Sequence, residues 1–275
     1  MTLHHPGKSE AMPRPRPANL HELRPNPSAR KRGGFDWDDL QRGAQSGKVT
    51  AHFGDVASEL ERFIVESPEI VGCVAWITST RLVAALAARP VALIVNKEWS
   101  LRETDTKPAS VRHRDTLRKL RGGILRSSLP APLRDAAGAD ELEAVRCVGY
   151  AVRGYSPVPL MHHKFIVRLD GGRPTAVWTG SFNFTVAAER SFETGLEIHD
   201  PKIAAAFLAE FARVATLSEP LEFQAGKAAP DWSARKPARM KANEKPARKP
   251  AKKTPAKQTA SKSEQPVRRR TRKAA

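Results

Sequence analysis

Between Val49 and Thr216 short apolar runs alternate with stretches of helical periodicity, which restricts the chain to few architectures. "VTAHFG" (49–54) reads as a strand, while "EIVGCVAWI" (69–77) and "PVALIVN" (90–96) read as buried strands. "DVASELERFIVES" separates the first two as an amphipathic helix, and "STRLVAALAAR", opened by a Ser/Thr cap, separates the second and third. "SVRHRDTLRKLRGG" predicts a basic helix closed by glycine, followed by a loop and the strand "EAVRCVGYAV". "HHKFIVRL" and "TAVWTG" flank the turn signal "DGGRP" and predict a hairpin. "FTVAAERS" reads as a short helix, "ETGLEIH" as a strand, and "PKIAAAFLAEFARVAT" as a closing helix with proline in its first turn. The expected class is α/β, a mixed β-sheet flanked by helices on both faces.

A chain of 275 residues with 40% apolar content can bury one full-sized core. Residues 1–33 carry six prolines among polar neighbours and predict a disordered Pro/Arg-rich lead. From Lys227 to Ala275 there are 17 Lys/Arg against 3 Asp/Glu, so most of the formal charge of +18 belongs to a cationic Lys/Arg/Ala/Pro tail with almost nothing to bury. The expected organisation is therefore 1–33 disordered, 34–226 folded and 227–275 a disordered basic tail. Such a tail binds polyanions without sequence preference and with a steep salt dependence. Cys73 and Cys147 lie in apolar runs and read as buried free thiols. Neither a signal-type apolar start nor 18 consecutive apolar residues occurs, which predicts a soluble, cytoplasmic protein, with nucleoid association as a variant of that location, and no integral membrane association.

Three titratable side chains stand at the head of one predicted strand, in "MHHKFIV". Strand alternation puts His162, Lys164, Ile166 and Arg168 on one face and His163, Phe165, Val167 and Leu169 on the other, the core face. An imidazole beside an ammonium is costly to bury unless an anion sits between them. Past the partner strand, "TGSFNFTVAAE" places Gly180, Ser181 and Asn183 at a strand-to-helix turn. Glycine admits a ligand to the backbone, Ser and Asn supply short donors, and a helix start adds oriented N–H groups, a combination suited to phosphate.

These two elements resemble the HxKxxxxD…GSxN motif of the phospholipase D superfamily, and "MHHKF…TGSFNFT…E" is most similar to its single-motif bacterial endonucleases, over about residues 49–215. The resemblance implies the phospholipase D-like fold, with His162 as nucleophile, Lys164 and Asn183 as phosphate ligands, Ser181 as a supporting donor and Glu193 as the acid that orients an imidazole. The superfamily aspartate falls at Leu169, and Asp170 lies one residue late, so it fills that role only if a bulge absorbs the extra residue. Otherwise it belongs to the Asp-Gly turn. With one HxK in the chain, the resemblance implies a homodimer through the active-site face, in which one His162 forms a phosphohistidine and the other protonates the leaving oxygen. No metal and no cofactor are implied.

The implied activity is a metal-independent phosphodiesterase, foremost an endonuclease acting on DNA or RNA. The alternatives are a phospholipid-hydrolysing or transphosphatidylating enzyme and a non-catalytic DNA-binding protein. The basic tail and the absence of an aromatic-rich amphipathic anchor favour nucleic acid, with an anionic lipid surface as the lesser partner. Arg114, Arg118 and Lys119, in a cluster with Lys107, Arg112 and Arg121, are candidate contacts to it, as is Gly180; the competing reading of the cluster is a solvated helix face. A zinc site from His162, His163, His199 and Asp200 is disfavoured because the adjacent pair diverges and no HExxH or CxxC spacing occurs. Glu197, on the same strand face as Glu193, competes for its role.

Overall fold

The computed structural model describes residues 20–24, 37, 42–151, 159–223 and 229–232. All of them fall in one compact unit, Met1–Arg235. Most of the two expected terminal segments, 1–33 and 227–275, lies outside the described residues. Where they are described they are not free of the fold: Leu23 is buried, Pro230 is buried, and Asp231 donates its N–H to Glu219 Oε1 at 2.7 Å. Described residues that contact the fold thus occur as far as Trp232, past the boundary expected at 226.

Nine strands form one mixed sheet: β1 (Arg42–Ser46), β2 (Val49–Phe53), β3 (Glu69–Val74), β4 (Val91–Asn96), β5 (Val145–Val148), β6 (Lys164–Asp170), β7 (Arg173–Gly180), β8 (Thr194–Ile198) and β9 (Glu219–Pro220). Their order is β1-β2-β8-β7-β6-β3-β4-β5-β9. β3, β4 and β5 run parallel, and the remaining pairs are antiparallel. β3 and β4 are buried almost throughout, as continuous apolar runs in covered parallel strands should be.

Among the described residues four helices cover the sheet. α1 (Val56–Val65) starts where Asp55 accepts from Ser58 N–H at 3.0 Å, and it buries Leu60, Phe63 and Ile64. α2 (Thr80–Leu86) is capped by Ser79, and α3 (Pro108–Leu117) opens with proline, which lacks the N–H that a first turn leaves unused. α4 (Pro201–Ala215) is capped by Asp200, whose carboxylate accepts from the N–H groups of Lys202 and Ile203. Strand alternation divides the core: Ile70, Val74, Ile166 and Trp178 pack with α1, α2 and Leu117 on one face, while Val71, Cys73, Phe165 and Val167 pack with Leu208, Phe211 and Ala212 of α4 on the other. Each such large apolar side chain contributes about 1.5–3 kcal/mol when fully buried. Helices on both faces of a mixed sheet match the expected class, and both cysteines are buried free thiols. No helix among the described residues is long and apolar enough to cross a membrane.

Three local departures from the sequence reading matter for the site. β6 begins at Lys164, so His162 and His163 precede the strand. The expected helix after "GSFN" shrinks to one 3-10 turn at Ala188–Arg190, because Phe184 instead bridges Ile77 in parallel and its carbonyl accepts from Thr78 and Ser79 N–H groups. The hairpin bulge falls on β7, where Thr175 intervenes between the partners of Arg168 and Leu169. Asp170 pairs with Arg173 across Gly171 and Gly172, which take φ of 56° and 76°, values that a two-residue hairpin turn demands and glycine adopts without strain.

Candidate active site

The carboxyl ends of parallel β3 and β4, the start of β6 and the junction between β7 and β8 meet at one edge of the sheet. Ala75 N–H, just past β3, donates to His163 O at 2.9 Å, and Met161 N–H donates to Asn96 Oδ1 at the end of β4 at 3.1 Å. Phe184 N–H donates to Trp76 O at 3.1 Å, which stitches the "GSFN" loop to the same edge. Crevices beyond the carboxyl ends of strands are where open α/β sheets bind ligands.

Lys164 is the unusual group there. Its side chain is 8% exposed, and its Nζ donates to His162 O at 2.8 Å while lying 5.6 Å from the Trp76 ring centroid. Among the described residues no carboxylate lies within ion-pair distance of it. Burial pushes its pKa below the ordinary lysine value, and the more distant charge of Glu193 opposes that shift. A buried ammonium with a carbonyl and a π-face for company is a site prepared for an anion.

The imidazole of His162 is exposed and edge-on to Trp76 at 5.2 Å between centroids. Trp76 Nε1 in turn donates to Glu98 Oε1. Ser181 Oγ donates to Glu193 Oε2 and accepts from Thr194 N–H at 3.0 Å, so Glu193 and Ser181 form one unit at the head of β8. Asn183 Oδ1 is buried and has no hydrogen-bond partner among the described residues. An orphaned amide oxygen costs on the order of 1–3 kcal/mol unless a ligand or water satisfies it.

His162, Lys164, Ser181 and Glu193 are thus gathered at one edge, with Asn183 on the loop stitched to it. Asp170 is not among them: it is exposed in the hairpin turn, six residues down β6 from Lys164 and therefore about 20 Å away. Gly180 does not open the backbone to a ligand. A Cβ there would meet Thr194 O at 2.0 Å, so the glycine serves the close approach of β7 to β8. Because the helix after "GSFN" is absent, oriented N–H groups of a helix start do not contribute.

The basic helix is also divided. Arg114 is 4% exposed, and its guanidinium holds Ser100 O at 2.9 Å and Asp105 O at 2.8 Å, which makes it a structural brace. Arg118 is bound to Asp115 and to Phe223 O. Lys119 is exposed and carries no ion pair among the described residues. His163 diverges from His162 as expected but is exposed rather than buried, with Nε2 3.1 Å from Glu210 Oε1 and its ring against Phe165. Glu197 belongs to a separate buried cluster with His52, His199 and Arg62. Among the described residues no group of three or more His, Cys, Asp or Glu could hold a metal ion.

Sequence reasoning passed over Trp76 and Glu98. Their signal was position: each lies two residues past the end of a buried parallel strand, where a bulky polar-tipped side chain faces the crevice.

The sheet, its two helical layers and an exposed imidazole beside a buried lysine at the carboxyl edge define an α/β chain with a candidate anion site. The chain belongs to the phospholipase D-like family: residues 71–215, more than half its length, match the family described as "Cardiolipin synthase, PLD-like domain". It is 25% identical over 198 residues to the uncharacterized protein L381 of Acanthamoeba polyphaga mimivirus, covering 65% of this chain and 69% of that one. Among solved structures it is similar to NucT from Helicobacter pylori, with 13% identity, TM-score 0.44, and 62% of this chain and 97% of the other covered. Nuc from Salmonella typhimurium, a phospholipase D family member, gives 22% identity, TM-score 0.38, and coverage of 62% and 95%. The phosphatidylserine synthase of Haemophilus influenzae Rd KW20 gives 14% identity, TM-score 0.40, and coverage of 71% and 45%.

Proposed function

We propose that this chain is a metal-independent phosphodiesterase that cleaves DNA or RNA through a phosphohistidine intermediate in a homodimer. The observation that carries the reading is the buried Lys164 ammonium without an ion-pair partner among the described residues, next to an exposed imidazole. A phosphodiester supplies the missing charge: Lys164 and Asn183 contact its non-bridging oxygens, and His162 attacks phosphorus in line. Glu193, held by Ser181, orients the imidazole and keeps Lys164 charged.

In-line displacement needs a proton donor on the side opposite the nucleophile, and the chain has one HxK. The imidazole of a second copy fills that role: the first His162 forms a P–N bond as the P–O bond breaks, and the second gives its proton to the departing oxygen. Water then gives a proton to the second His162 as it attacks phosphorus, and the P–N bond breaks to release the first imidazole. Leu160 at 60% and Phe192 at 62% exposure flank His162 and Glu193, an apolar rim that a second copy would cover. The basic tail raises the local concentration of substrate. A phospholipid substrate is the second reading, favoured by the description of the matched family.

The test offers plasmid DNA, single strands, RNA and labelled phosphatidyl lipid to the purified chain in EDTA. Nucleic acid should be cut in chelator and should survive His162→Ala. Abolition by EDTA, undiminished cutting by the variant, or turnover by a strictly monomeric species would each overturn the proposal.

A further inference from the structure

The cations of the basic helix are not equivalent. Arg114 and Arg118 are consumed by carbonyls and Asp115, whereas Arg112 and Lys119 are exposed and enter no ion pair or side-chain hydrogen bond among the described residues. Both line a groove of about 650 Å³ between α3 and the segments that leave β3 and β4, together with Thr78, Glu98, Ser100 and Thr116. Glu98 is shared with the catalytic edge: it accepts from Trp76, whose ring lies 5.2 Å from that of His162 and 5.6 Å from Lys164 Nζ. The groove wall is therefore one side chain away from the nucleophile.

We propose that this groove is a subsite for the sugar–phosphate backbone of the strand flanking the scissile bond, with Arg112 and Lys119 holding its phosphates. The inference rests on the nuclease reading above and names the part of the substrate that a small diester lacks. Three observations carry it. Asp115 is offset by Arg118, and the Glu98 carboxylate, which keeps its charge under the neutral Trp76 N–H, is outnumbered by Arg112 and Lys119, so the net charge on the wall is positive. Arg112 on α3 and Lys119 just past its C-cap lie seven residues apart, on the order of 10 Å along the axis, a spacing that suits successive phosphates of a strand. Ala109 is the one wholly apolar side chain lining it, and the hydroxyls of Thr78, Thr80 and Ser100 add hydrogen-bonding partners for sugar and phosphate oxygens.

The experiment compares the full chain with R112A/K119A on a single-stranded DNA 12-mer and on bis(4-nitrophenyl) phosphate, which is too small to reach the groove. The cationic tail is common to both proteins and cancels. The ratio of kcat/KM for the 12-mer to that for the small diester should fall about ten-fold or more in the variant, as expected for two lost charge-assisted contacts. Binding of a fluorescent 12-mer should weaken in parallel, with a log–log salt slope shallower by about 1.4. An unchanged ratio with unchanged 12-mer affinity would overturn the subsite. So would loss of affinity for phosphatidylglycerol vesicles while 12-mer affinity is retained, which would assign the groove to a lipid headgroup. If the parent chain cuts no nucleic acid, the nuclease reading itself has failed, and the binding comparison still decides the groove.

Discussion

Replacing Glu197 with glutamine probes a buried carboxylate held by Arg62, His52 and His199, none of which belongs to the candidate site. The carboxylate is 2% exposed, receives Arg62 Nη2 at 2.6 Å, and has His199 Nε2 at 2.6 Å and His52 Nε2 at 3.5 Å. Arg62 also holds Glu59 and Glu66. Burial raises the carboxyl pKa, but the two imidazoles and the guanidinium together outweigh it and depress it from 4.5 to about 2. A depression of that size corresponds to about 3 kcal/mol of folding stability. Because the folded value is the lower one, this stability is complete above pH 4.5, the ordinary value, and drains away as pH falls toward 2. Urea titrations of the parent and E197Q should therefore differ by about 3 kcal/mol at pH 7.5, a gap consistent with stranding buried partners, and the gap should narrow between pH 4.5 and 3. Equal stability at pH 7.5, or a gap that widens over the acid interval, would refute the assignment of Glu197 as the ionised hub.

Other substitutions test the site and its scaffold. Because burial lowers the Lys164 pKa and Glu193 opposes it, the alkaline limb of kcat/KM should fall below the ordinary lysine value of about 10.4 and should move lower still in E193Q; a pH-rate profile that shifts upward in E193Q would contradict this. Gly180→Ala forces a Cβ against Thr194 O and should destabilise the β7–β8 pairing by at least about 2 kcal/mol, read as a lowered midpoint in urea. Asp170→Asn, in the hairpin turn, should leave kcat/KM within about two-fold of the parent, since charge–charge influence at about 20 Å is screened in saline; a hundred-fold loss would restore the superfamily role to it. Arg114→Ala should cost about 2 kcal/mol by leaving two carbonyls without donors.

The motif residues were legible because both of their elements are local: "HHK" and "GSFN" state chemistry within a few residues. The α/β class was legible for a similar reason, since β3, β4, α1 and α4 each carry an unambiguous apolar period. β1 and β9 were not foreseen; their burial patterns are fully exposed and intermediate, so no apolar period marks them and edge pairing alone makes them strands. The helix expected after "GSFN" failed because its propensity was overridden by the long-range Ile77–Phe184 bridge.

The sequence by itself determined the alternation of strands and helices and the free thiols in the core, because each follows from neighbours along the chain, and it nominated His162, Lys164, Ser181, Asn183 and Glu193 through their resemblance to a family motif. Only the tertiary structure decided that Lys164 is buried without a counter-ion among the described residues, that Trp76 and Glu98 join its edge, that Asp170 is remote, and that Arg112 rather than Arg114 faces a groove. Burial and pairing depend on which distant segments cross, and two arginines one helical half-turn apart carry identical charge until the packing of α3 turns one inward and leaves the other to solvent.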